Sequence, residues 1–188
     1  MKNTLLEAIS SLGEVGYLTA PNWIHYAWIP VWQEQFPDAS TYVSPGVVER
    51  ADSRGMQLQF KKELCDDAPA VWAEEIDQRV ANSEYHREVV FFHRASKTLI
   101  LTDLIENFEK NKMPWWTRPL LKLGGVCDPE GGMPRDMAAI FKRRPEQLKK
   151  LVSDMIAWNP ERVILAHGRW YDKNGTEELK RAFRGLLT

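Results

Sequence analysis

The apolar positions change period repeatedly along the chain. Leu5, Leu6, Ile9 and Leu12 recur at helical spacing, and Gly13 can end that helix. Residues 15–19 are short and apolar and stop at Ala20-Pro21, which predicts a buried strand feeding a loop. Asn22 can cap a helix over 23–36, with Pro30 as a kink within it. Residues 40–44 predict a second strand between two proline-bearing turns, and a short helix after Pro45 ends near Gly55. The pattern over 56–69 is weak and predicts a loop or a poor strand. Residues 76–80 alternate as an edge strand does, and 89–92 and 98–101 are strong strands joined as a hairpin through 93–97.

The long connection over 107–133 is rich in Gly, Pro and Trp, with a short helix predicted at 115–123 and Gly124-Gly125 closing it. Leu148, Leu151, Val152, Met155 and Ile156 share one face of a helix over 146–158, ended by Asn159-Pro160. A buried strand over 162–166 runs into His167-Gly168, and an amphipathic helix over 176–187 closes the chain. Strands alternate with helices on both sides of one hairpin, so the fold class is layered α/β.

A chain of 188 residues suits one domain over 1–188, with 44% apolar residues and a net charge of −1. That charge gives no electrostatic basis for nucleic acid or an anionic membrane as partner. Cys65 and Cys127 form neither a disulfide framework nor a thiolate metal site, which predicts a reduced, cytoplasmic protein. The first fifteen residues lack the layout of a signal peptide, and no apolar run reaches the roughly 18 residues of a membrane span. Of the eight tryptophans, Trp23, Trp28 and Trp32 fall near helical spacing and are expected in the core or a pocket wall. Trp115 and Trp116, beside Met113, Arg118 and Lys122, are expected to cap a pocket; membrane contact there is the less favoured reading.

Three features sit where strands end: 19–25, Thr102-Asp103, and Ala166-His167-Gly168. In α/β folds sites gather there. His25, Asp103 and His167 would make a three-ligand set acceptable to zinc or iron, suited to activating water or a carbonyl. The alternative is a buried His–Asp–His hydrogen-bond network kept as structure. His86 and His93 flank the hairpin and are expected at the surface or in turns. Asn22 could offer an amide oxygen to a metal, although helix capping explains it more simply. Lys142-Arg143-Arg144 is expected as a solvated face.

The order of these pieces resembles the metallo-β-lactamase superfamily. Its first motif, Thr-His-x-His-x-Asp-His, stands here as Thr19-Ala20-Pro21-Asn22-Trp23-Ile24-His25; Ala20, Asn22 and Ile24 replace two histidines and the aspartate. The bridging aspartate is similar to Asp103 in Thr102-Asp103-Leu104, and the last histidine to His167. Counting back by the superfamily's spacing for the middle histidine lands near Glu84, with His86 two positions on. The phrases TAPNWIH, EVVFFHR, TLILTDLIENF and ILAHGRW resemble one branch, a domain of unknown function in which the altered first motif is normal. The resemblance implies an αββα sandwich lacking the superfamily's N-terminal strands, and that missing edge predicts a homodimer. It implies a degenerate site: one Zn or Fe ion held by His25, Asp103 and His167, with Asp103 also orienting water, and Asn22, Glu84 and His86 as possible additions. The function implied is a metal-dependent hydrolase of small esters, thioesters or lactones. The alternative is a non-catalytic relative that binds a small molecule or a protein through the Trp-rich loop. Nucleic-acid processing, known elsewhere in the superfamily, lacks the basic surface it would need.

Overall fold

The computed structural model describes residues 3–187. The chain forms two compact units, one up to Leu64 and one from Cys65 onward. In the first, the order is α1 (Asn3–Leu12), β1 (Tyr17–Ala20), α2 (Ile29–Gln35), β2 (Ser40–Val43), α3 (Val47–Asp52) and β3 (Lys62–Glu63). Its three strands form a parallel sheet in the order β1-β2-β3, with Leu18 paired to Thr41. Leu18, Ala20, Ile29, Val43, Val47 and Ala51 make its core. The short strand β3 lies in the stretch whose pattern was weakest, where exposed Lys62 and Glu63 leave no apolar alternation to read.

The helix expected over 23–36 is shorter. Asn22 Oδ1 accepts from the backbone N–H groups of Ile24 and His25, each at 2.8 Å, which holds 22–25 as a turn. Pro30 then opens α2 in its first turn, where its fixed φ and missing N–H cost nothing, so it starts the helix instead of kinking it. With no helix to carry it inward, Trp28 is 72% exposed, contrary to the expected core position. Trp23 is exposed too, beneath the Arg50 guanidinium at 5.6 Å, while Trp32 packs against the core.

The second unit holds a four-stranded sheet in the order β4-β5-β6-β7, formed by β4 (Ile76–Asn82), β5 (Arg87–His93), β6 (Thr98–Ile100) and β7 (Arg162–Ile164). The first three are antiparallel neighbours, so the hairpin and the edge position of β4 are as the alternation predicts. β6 and β7 run parallel, with Leu99 paired to Val163. Its helices are α4 (Arg118–Gly124), preceded by a 3-10 turn over Trp115–Thr117, then α5 (Arg135–Phe141), α6 (Pro145–Ala157), α7 (Gly175–Ala182) and α8 (Arg184–Leu187). α6 buries Leu148, Leu151, Val152 and Met155, and together with Phe92, Leu99, Leu104, Val163 and Leu179 these build the larger core. The expected last helix is interrupted at Phe183, which leaves helical geometry while its ring enters that core. α5 had no counterpart in the sequence reading, although Met137 and Phe141, four apart, are its buried face.

Among the described residues no helix is long and apolar enough to cross a membrane. Met155 is fully buried and Leu5 is exposed. Met155→Ala should therefore cost about 2–5 kcal/mol and Leu5→Ala less than about 0.5 kcal/mol. Urea unfolding of both variants checks the contrast, and equal midpoints would contradict this core.

Candidate metal centre

Strand direction brings the candidate residues of the second unit together. β6 and β7 are parallel neighbours, so Asp103, just past the end of β6, and His167, just past the end of β7, emerge at the same edge of the sheet. β5 runs the other way, and continuing its register from Phe91 opposite Ile100 brings Glu88 opposite Asp103. His86 precedes Glu88 by two residues on the same side. A sheet of this topology therefore collects its polar residues outside one set of strand ends.

The contacts follow. His167 Nε2 lies 3.1 Å from Asp103 Oδ1, with Asp103 buried and His167 half-exposed. The Glu88 side chain is fully buried, and its two oxygens accept from the backbone N–H groups of Thr102 at 2.6 Å and Asp103 at 2.9 Å. Its Oε2 also lies 3.3 Å from His86 Nε2. His86, Glu88 and Asp103 each present one ligand atom within 4.8 Å of the others, a nitrogen and oxygen set able to hold a metal ion.

His86 is 3% exposed, contrary to the surface position expected for it. The cause is local. Ser83 N–H and Oγ donate to the His86 carbonyl, and Ser83 Oγ accepts from His86 N–H at 2.8 Å, closing a turn that directs the ring to Glu88. Glu84, by contrast, is exposed and accepts from Arg143 at 2.9 Å. His93 is half-buried beside Ser96, with its Nδ1 2.7 Å from Oγ. Trp115 and Trp116 are both exposed. His25 belongs to the first unit, on the turn held by the fully buried Asn22.

Several residues near Asp103 and His167 were not singled out from the sequence. Asn107 is buried and latches the His167 loop: its N–H donates to the His167 carbonyl at 3.0 Å, and its carbonyl accepts from Arg169. Its side chain donates to Asp128 and to the Arg169 carbonyl and accepts from Gly131 N–H. Gly168 sits at φ 95°, and a Cβ there would overlap the Asn107 backbone, so only glycine fits beside His167. The Phe108 ring stacks on the imidazole with centroids 6.1 Å apart. Glu106 is another: burial first, then the charges of Asp103 and Asp136, push its carboxyl up to about 7. Glu88 carried a readable signal, being an acid on the buried face of β5 with Val90 and Phe92. Asn107 and Glu106 carried none, because their roles depend on distant segments.

The comparisons agree with this topology. A metallo-β-lactamase from Pontibacter korlensis is similar at TM-score 0.63 and 14% identity, covering 98% of this chain and 76% of the other. The fold is metallo-β-lactamase-like. The rubredoxin oxygen:oxidoreductase of Desulfovibrio gigas matches at TM-score 0.61 and 13% identity, over 99% of this chain and 48% of that one. TTHA1623 in a di-iron-bound form matches at TM-score 0.50 and 18% identity, over 94% and 82%. No family model matches the sequence, and no curated protein matches it. At these identities the likeness shows a fold that carries hydrolytic and redox proteins alike, so chemistry must be argued from residues.

Glu88→Gln would turn an amide N–H toward one of two backbone donors and leave it without an acceptor, at about 1–3 kcal/mol. Urea unfolding reads this, and an unchanged midpoint would exclude Glu88 as a strut. A carboxyl whose folded pKa is raised contributes stability that is full below its unfolded value near 4.5 and lost as pH rises through about 7. In chelator-treated protein, Glu106→Gln should therefore match wild type in acid, exceed its Tm increasingly as pH rises from about 4.5 to about 7, and keep a constant margin above that. A Tm difference independent of pH would reject the raised pKa of the half-buried Glu106.

Proposed function

We propose that this protein is a metal-dependent hydrolase of small esters, thioesters or lactones, with a reduced, mononuclear site. The observation that carries the reading is the 3.1 Å approach of His167 Nε2 to the buried Asp103 Oδ1 at the common edge of parallel strands β6 and β7. His167 and Asp103 would hold the ion, with His25 as third ligand on the strength of its place in the first motif. An ion bound there supplies Lewis acidity toward water and a carbonyl oxygen. Zinc or iron suits this donor set, and the di-iron form of a structural neighbour supports iron as a candidate.

The chain's own groups do the rest. Glu88 fixes the backbone of Asp103, so the carboxyl faces His167 without rotating away. Phe108 and the Asn107 latch hold the imidazole plane. Glu106, with its carboxyl pushed up to about 7, can hold a proton near neutrality and would act as a general acid by giving that proton to a leaving group that reaches it.

A second reading is a non-catalytic relative that binds a small molecule or a protein partner. It is favoured by the structural use of the substituted positions: Asn22 Oδ1 is occupied by two backbone donors and Glu84 by Arg143. Metal analysis of protein purified without added metal separates the readings. Near one equivalent of zinc or iron, lost in the His25→Ala/His167→Ala variant, is expected for the hydrolase. Asp103→Asn should then lower hydrolysis by about a hundredfold or more, since even the outer partners of a ligand act on that scale. Absence of metal in wild type after zinc is offered, with no hydrolysis, leaves the binding reading.

A further inference from the structure

The tryptophans of the 3-10 turn before α4 lie outside the core and face solvent. Trp115 is 77% exposed and Trp116 63%, while Leu120 and Leu123 of the adjoining α4 are 64% and 61% exposed. The residues that turn inward are Thr117, Leu121 and Gly124, all partly covered, at a spacing of three to four. The segment is therefore amphipathic in an inverted sense: its small side is seated on the protein, and its aromatic and branched side is presented to solvent. Isolated exposed apolar residues are ordinary; four within the short stretch 115–123 are not.

Charge indicates what covers them. Residues 110–126 contain Lys110, Lys112, Arg118 and Lys122 and no acid, within a chain whose net charge is −1. All four cations are exposed. Lys112 is paired with Glu109 at 2.6 Å, just outside this stretch. A second copy of the same surface is a poor partner, because two-fold pairing would set Arg118 and Lys122 of each copy against their equivalents. Tryptophan beside leucine, rimmed by Arg and Lys, is instead the chemistry of a helix lying in the interface of an anionic bilayer: indole rings sit at headgroup depth, leucines enter the acyl boundary, and the cations meet lipid phosphates.

We infer that residues 110–126 form a peripheral docking surface for anionic lipid, with Trp115, Trp116, Leu120 and Leu123 entering the interface and Lys110, Arg118 and Lys122 holding the headgroups. Low overall basicity argues against this reading at the level of composition, but the cations that matter are concentrated here. The inference does not depend on metal or on hydrolysis.

Co-sedimentation of the full chain with phosphatidylcholine vesicles, with and without phosphatidylserine at about one lipid in three, tests it. Binding is expected to the anionic vesicles, weakening with added salt. Trp115→Ala/Trp116→Ala should remove it, and Arg118→Gln/Lys122→Gln should weaken it about 30-fold, with the circular dichroism spectrum of both variants unchanged. Failure of wild type to bind the anionic vesicles overturns the inference, as does binding that the tryptophan variant retains. A wild-type dimer by light scattering that becomes monomeric in the tryptophan variant would assign the surface to self-association and overturn it equally.

Discussion

The second unit's polar centre depends on one buried group, the side chain of Glu88. An acid with no solvent contact is costly unless both oxygens are engaged. Here the cost is met by two backbone N–H donors at the point where β6 gives way to its loop. An apolar residue at the same position would pack, but it would leave those donors with nothing to accept them. The acid therefore defines where the chain departs from the strand, and so the direction in which Asp103 projects. His86 shares an oxygen of the same group, which is why a histidine beside a short turn ends up inside.

Asp103 and His167 meet because parallel neighbours end on the same side of a sheet, and the loop beyond β7 is shaped so that only one arrangement remains. Gly168 takes a backbone conformation that side chains disfavour and lies against Asn107 so closely that any side chain would collide. The ring of His167 is then confined between Phe108 and Asp103. Orientation comes from main-chain and aromatic contacts.

Much of this was legible in the sequence. Period-two and helical apolar spacing located both sheets' principal strands, the hairpin and α6, and strand ends indicated Asp103 and His167. The misses share a cause. Asn22 halted a helix by a side-chain bond that periodicity does not encode, and Trp28 was consequently turned outward. Phe183 broke a helix because the core takes its ring, and Ser83 folded His86 inward by contacts that depend on the exact turn. Composition averaged away the cations around α4, whose significance lies in their proximity to exposed tryptophans.

The long connection between β6 and α5 has a closed neck. Phe108 N–H donates to the Val126 carbonyl at 2.7 Å, and Asp128 N–H returns to the Phe108 carbonyl at 2.9 Å. Everything from Glu109 to Gly125 is thus a side excursion whose two ends are stapled together just after the chain leaves Asn107. Lengthening such an excursion costs only slowly growing loop entropy, and the staple shields His167 from what happens beyond it. The surface-facing segment can accordingly vary in length and composition while the residues around Asp103 stay constant, so that selection can alter where the protein works independently of what it does.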